Sequence, residues 1–241
     1  CLEDKDRAYR HEIFDNALPR VQNSPGEQLF LEGALTSRHQ DICRKAFQKV
    51  IAATGPWMGP MLLSGLSDSD REIRRMALSS QAINSLHAQG LASAHLEAAL
   101  RQRDTNTRLA ALEILKRRPD LITPGIYEIL QNIITRERNN RLSRAAFSPA
   151  LREWARGAGL EQRLLTEAFQ NGTPDIRRAV VSSLRGREDA WVEPLLRMAL
   201  TGSDRHLIQL VFTELYHRAK ARGKERPFLE EGFRSSNRHV S

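Results

Sequence analysis

Seven histidines and two cysteines are the residues of this 241-residue chain best suited to ligate a metal or attack an electrophile, and their spacing suits neither task. His11-Glu12 begins like a zinc-binding helix, but that motif needs a second histidine four residues after the first, and position 15 is aspartate. His39, His87, His95, His206, His217 and His239 are scattered beside charged or loop residues, so solvated surface is the expectation for them. Cys43 falls where Ile73, Ile176 and Leu207 fall in related segments, which predicts a buried, inert thiol. The stretch Gly55-Pro56-Trp57-Met58-Gly59-Pro60 lacks the lysine and the preceding strand of a phosphate-binding loop. No serine, histidine and acid stand out as a triad. The residues point to a protein that is not an enzyme and has no cofactor or metal.

Cys1 suggests another kind of chemistry. An N-terminal cysteine followed by Leu2 resembles the mature start of a bacterial lipoprotein. That resemblance implies diacylglycerol on the thiol and a further acyl chain, palmitate or similar, on the amine. Two or more lipid signals give stable anchoring. Leu2 stands where the inner-membrane retention aspartate would be, so the implied address is the periplasmic face of the outer membrane.

Charge is the other lead. Thirty-seven Lys and Arg against 29 Asp and Glu give a net charge of +8 and a pI near 10.1, which suits nucleic acid, an anionic membrane surface or an acidic protein. Nothing approaches the roughly 20 apolar residues of a membrane span. The most apolar stretch, 50–66, is cut by Gly55-Pro56 and Gly59-Pro60.

These side chains must be positioned by helices. Gln40, Asp70, Asp104, Asn139, Thr173 and Asp204 recur at steps of 30, 34, 35, 34 and 31. Three residues on come Cys43, Ile73, Thr107, Leu142, Ile176 and Leu207; the next position holds Arg44, Arg74, Arg108, Ser143, Arg177 and Ile208. Cys43, Ala46, Phe47, Val50 and Ile51 make one apolar stripe at helical spacing, and Ile176, Ala179, Val180 and Leu184 repeat it. A partner helix precedes each, at 27–36, 57–66, 91–102, 124–135, 159–170 and 191–201, with glycine or proline between units. A lone pair of such helices cannot bury its apolar face, whereas six stacked pairs can. Residues 1–27 read as a tether or irregular cap, 28–218 as the array and 219–241 as a basic tail.

The pattern Leu66, Asp68, Asp70, Ile73, Arg74, Ala77 resembles the HEAT-repeat family and the related phycobilisome-lyase-like HEAT repeats. The likeness spans about 28–218 and implies an all-α, right-handed α-solenoid of about six helix pairs. It is degenerate in the fourth copy, which has Ser143 with Arg144 displaced by one, and in the sixth, which has Ile208. It implies a structural ladder of Asp70, Asp104, Arg44, Arg74, Arg108 and Arg177, each Asp capping a helix and each Arg reaching an Asp of a neighbouring unit. Some HEAT-like folds are DNA alkylpurine glycosylases, but their aromatic cluster has no counterpart in Trp57, Trp154 and Trp191, which lie in different copies.

Arginines off the apolar stripes are the candidate partner-binding residues: Arg71, Arg75, Arg101, Arg103, Arg136, Arg138, Arg141, Arg144 and Arg178. Parallel second helices would add them into a ridge. The expected partner is a protein of an envelope complex, with the membrane reached through the lipid anchor. Nucleic acid is the alternative, since phosphate contacts need little more than such a ridge, though aromatics for base stacking make up only 6% of the chain.

Overall fold

A computed structural model describes residues 2–200 and 204–233, with the backbone alone for 231–233. Cys1, and with it the expected lipid, lies outside the described residues, as does 234–241 of the expected tail. The described residues are all-α: sixteen α-helices, a single 3-10 turn and no strand, with helices packed in neighbouring pairs in a solenoid-like manner. They divide into two compact units, Cys1–Ile129 and Leu130–Ser241.

The first unit contains α1 (Arg7–Val21), α2 (Pro25–Leu35), α3 (Gln40–Ala52), α4 (Met58–Gly65), α5 (Arg71–Ala77), α6 (Ser80–Ala88), α7 (Ala92–Leu100) and α8 (Thr105–Arg117). Here α3 packs on α2, α5 on α4 and α8 on α7, while α1, α3, α5 and α8 each touch the next of that series. The stripe on α3 is buried as its spacing predicts, with Ala46, Phe47 and Val50 at the core. Gly65 lets α4 close onto it, because a Cβ there would sit 2.3 Å from the Phe47 ring.

Where a tether or irregular cap is expected, α1 is a packed helix. Asp6 accepts from the Ala8 and Tyr9 amides to start it, Phe14 and Leu18 are buried, and Phe14 meets Phe30 of α2 at 5.3 Å. Its buried stripe consists of only Arg10, Phe14 and Leu18, too short to stand out by periodicity.

The division between units falls within α9 (Pro124–Arg136). The second unit continues with α10 (Asn140–Ala146), α11 (Pro149–Gly157), α12 (Glu161–Asn171), α13 (Pro174–Ser183), α14 (Val192–Ala199), α15 (Arg205–Ala221) and α16 (Glu225–Phe233). Here α13 packs on α12 and α15 on α14, and α13 touches both α10 and α15. The expected second helices of copies two and four are each broken, since Ser79 and Ser148 cap a new helix by accepting from Ala82 and Leu151. Gly159, at φ 71°, lets the chain reverse so that the Leu160 amide reaches the Ala155 carbonyl at 2.7 Å. The expected tail is helical through 233: α15 runs on to Ala221, and Phe228 of α16 is buried 5.2 Å from Phe212.

His95 also departs from expectation. It is buried, and its Nε2 donates to the Ala77 carbonyl at the end of α5 (2.9 Å), with burial holding its pKa below the usual histidine range.

Candidate interaction surface

Five of the six aligned polar residues are helix caps. Asp70, Asp104, Asn139, Thr173 and Asp204 each precede a helix and accept from one or two of its first free amides. Gln40 instead is the first residue of α3, whose cap, His39, makes no side-chain bond to the helix's free amides.

The ladder is complete across α3, α5 and α8. Arg44 Nη2 donates to Asp70 at 3.1 Å, and this hydrogen bond is the main reason the Asp70 pKa lies low. Arg74 donates to the carbonyls of Asp68 (2.6 Å) and Ser69 (3.0 Å) and brings its Nε within 3.7 Å of Asp104. Bonds from the Thr107 hydroxyl and amide hold Asp104 ionised. Arg108 occupies the same position on α8.

An earlier rung escapes sequence reading. Asp6 and Arg10 stand in the relation of Asp70 and Arg74, 34 residues before Gln40, and Arg10 binds the Asp4 and Lys5 carbonyls as Arg74 binds its own. It reaches across to Asp41 at 3.1 Å, one residue past the aligned position. Burial alone would raise the Asp41 pKa, but hydrogen bonds from His11 and Arg10 outweigh it and lower it. The 34-residue step back from Gln40 was the available signal.

In the second unit the family-like ladder does not hold. Arg177 donates to the carbonyls of Gly172 and Gln170 rather than to an aspartate. Buried Ser143 replaces the arginine and bonds the carbonyls of Ile133, Glu137 and Asn139. Displaced by one, Arg144 reaches Asp175 at 2.6 Å.

Four of the nine candidate partner-binding arginines are spent inside the molecule. Arg75 pairs with Glu72, Arg101 with Glu97 (2.7 Å), and Arg144 and Arg178 share Asp175. Arg75, Arg101 and Arg178 lie one helical turn along the chain from their carboxylates, whereas Arg144 reaches Asp175 on α13. Arg71 and Arg103 in the first unit, and Arg136, Arg138 and Arg141 in the second, are exposed and form no ion pair or side-chain hydrogen bond among the described residues. The last three stand within six residues at the turn from α9 to α10.

Sequence reading missed a cluster entirely. Glu161, the first residue of α12, lies between two guanidinium groups: Arg156 gives it Nη2 and Nε at 2.9 and 3.1 Å, and Arg187 gives it Nη1 and Nη2 at 2.7 and 2.9 Å. Arg187 Nε reaches Asp189 at 2.9 Å, and its guanidinium lies 5.4 Å from the Trp191 ring centre. Burial pushes the Glu161 pKa up, yet the bonds from Arg187 and Arg156 prevail and lower it to about 2. No common offset joins these residues.

Among the described residues no group of three His, Cys, Asp or Glu could hold a metal ion, and no helix is long and apolar enough to cross a membrane. Cys43 is buried beside the Ser37 carbonyl at 3.0 Å, and its pKa is raised by burial.

No family model and no curated protein matches the chain. Among solved structures it is similar to two engineered proteins determined by crystallography. One is 17% identical over 99% of this chain and 74% of that chain, with a TM-score of 0.40. The other is 16% identical over 87% of this chain and 90% of its own, with a TM-score of 0.32. Both scores are too low for an argument about fold or function.

Proposed function

We propose that this chain is a non-enzymatic, HEAT-like interaction scaffold. It docks an acidic partner protein of an envelope complex. One observation supports the docking reading most: Arg136, Arg138 and Arg141 crowd one turn and, even with Glu137 between the first two, form no ion pair among the described residues, whereas most arginines around them are paired. Exposed, uncompensated charge on a rigid scaffold raises association rates and selects partners of opposite sign. The HEAT-like pattern at 66–77 supports the scaffold.

The test is recovery of co-purifying proteins from detergent-solubilised envelopes, comparing wild type, R136E/R138E/R141E and R75E. The triple reversal should lose the partner about tenfold or more while R75E keeps it. Equal recovery by all three overturns the reading. Duplex DNA binding that falls steeply with salt and disappears in the triple variant would replace it with the nucleic-acid reading.

A further inference from the structure

Arg152 is the anomaly of the second unit. It is half-buried on α11, one helical turn before Arg156, and its guanidinium lies 5.4 Å from the centre of the Phe147 ring. Its Nε is buried with no hydrogen-bond partner, and its side chain forms no ion pair. Leaving a buried charge uncompensated is costly, and here burial also holds the pKa below the usual arginine range.

Its surroundings define what could compensate it. All three nitrogens of Arg187 are engaged, with Nη1 and Nη2 on Glu161 and Nε on Asp189. Arg156 spends Nε and Nη2 on Glu161, so Nη1 is left over. Glu153 follows Arg152 in the chain, about 100° around the helix, and forms no ion pair with it. Glu161 and Asp189 are hydrogen-bonded to Arg156 and Arg187, and Glu153 acts on Arg156 without a hydrogen bond, so Arg152 has no carboxylate bonded to it and the unused donors belong to two guanidinium groups one turn apart.

We infer that Arg152 and Nη1 of Arg156 form a binding site for a carboxylate, its two oxygens shared between the two guanidinium groups. A carboxylate matches the one guanidinium left without a carboxylate partner, and a planar pair of oxygens matches the guanidinium fork. A phosphate dianion would place a second negative charge beside Glu161. The Glu161–Arg187 pair holds Arg156 in position, and the Phe147 ring shields one side of Arg152, so the contact is made where water screens it less. The site does not depend on Arg136, Arg138 and Arg141, so it stands or falls apart from the docking surface. The carboxylate could belong to a small organic acid or to an acidic side chain of a peptide.

Arginine Nε–H resonances of the full chain report the site. Wild type is titrated at fixed ionic strength with sodium acetate, sodium chloride, acetamide, inorganic phosphate and a blocked Gly-Glu-Gly peptide. Acetate should move the Arg152 and Arg156 signals to saturation, while acetamide and chloride should not. In R152Q, read at Arg156, acetate affinity should drop about tenfold or more, the loss of one charge-assisted contact. If that variant does not fold, R156Q read at Arg152 should show a loss of several-fold. A peptide response alongside acetate supports an acidic side chain as the source, and acetate alone supports a small acid. Equal responses to acetate and chloride, undiminished acetate binding in R152Q, or tighter binding of phosphate than acetate each overturn the inference.

Discussion

The two units tie their successive layers together with the same residue types in different ways. In the first, one device recurs: an aspartate caps a helix and also receives an arginine from the preceding layer, as in Arg44–Asp70 and Arg74–Asp104. In the second, Asn139 and Thr173 cap α10 and α13 at the aligned positions without carrying charge, and only α15 keeps an aspartate, Asp204. The layers are tied instead by Arg144–Asp175 and by the Glu161 clamp, neither of which keeps the register. Capping and charge are therefore separable. A neutral cap preserves the helix but removes the counter-ion, and among the described residues Arg136, Arg138, Arg141 and Arg152 of the second unit form no ion pair, as Arg71 and Arg103 form none in the first.

The largest effect that could break this comparison is at Glu161. Its carboxylate is 9% exposed and holds two guanidinium groups, so E161Q leaves both without their charge partner. A fall in pKa from the ordinary 4.5 to about 2 corresponds to a contribution of about 3 kcal/mol. Because the folded pKa is depressed, the unfolded chain binds more protons between the two values. The contribution is thus complete above about pH 5, declines as pH falls through that window and vanishes below about pH 2. Urea titrations of wild type and E161Q should therefore differ by about 3 kcal/mol at neutral pH and converge in acid. A constant difference at all pH values would mean that the clamp's charge contributes nothing.

A smaller loss is expected from the ladder. Asparagine caps a helix about as well as aspartate, so D70N removes only the charge facing Arg44, whose side chain is 45% exposed. Solvent screening on that side limits the cost to about 1 kcal/mol. The same titrations at neutral pH test it, and a loss equal to that of E161Q would erase the distinction between ladder and clamp.

The ladder was legible in the sequence because its residues keep fixed offsets: a cap at Asp70 predicts one at Asp104, and Arg44 predicts Arg74. Helix pairing was legible for the same reason, through stripes such as that of α3. The rest depends on which residue lies nearest in space. Arg75 and Arg178 look free on a helical wheel but are drawn to carboxylates three residues before them. Glu161, Arg156 and Arg187 belong to α12, α11 and the turn before α14, and only folding brings them together. His95 looks like any surface histidine until α7 packs it beneath the end of α5.

The smallest effect bears most directly on the separation of cap from charge. N139D keeps the acceptor for the Arg141 and Leu142 amides and adds one negative charge where the helix dipole favours it, between Arg138 and Arg141. Stability should rise by about 0.5 kcal/mol at low salt and less at high salt, because the new charge is partly exposed. Partner recovery should fall several-fold, since one of three uncompensated charges acquires a counter-ion within the molecule. Stability and binding then move in opposite directions from one substitution, which neither damage to the helix nor simple loss of fold would produce. If N139D gains stability and still recovers the partner in full, the neutral cap is not what makes these arginines available, and the contrast between the two units concerns their stability alone.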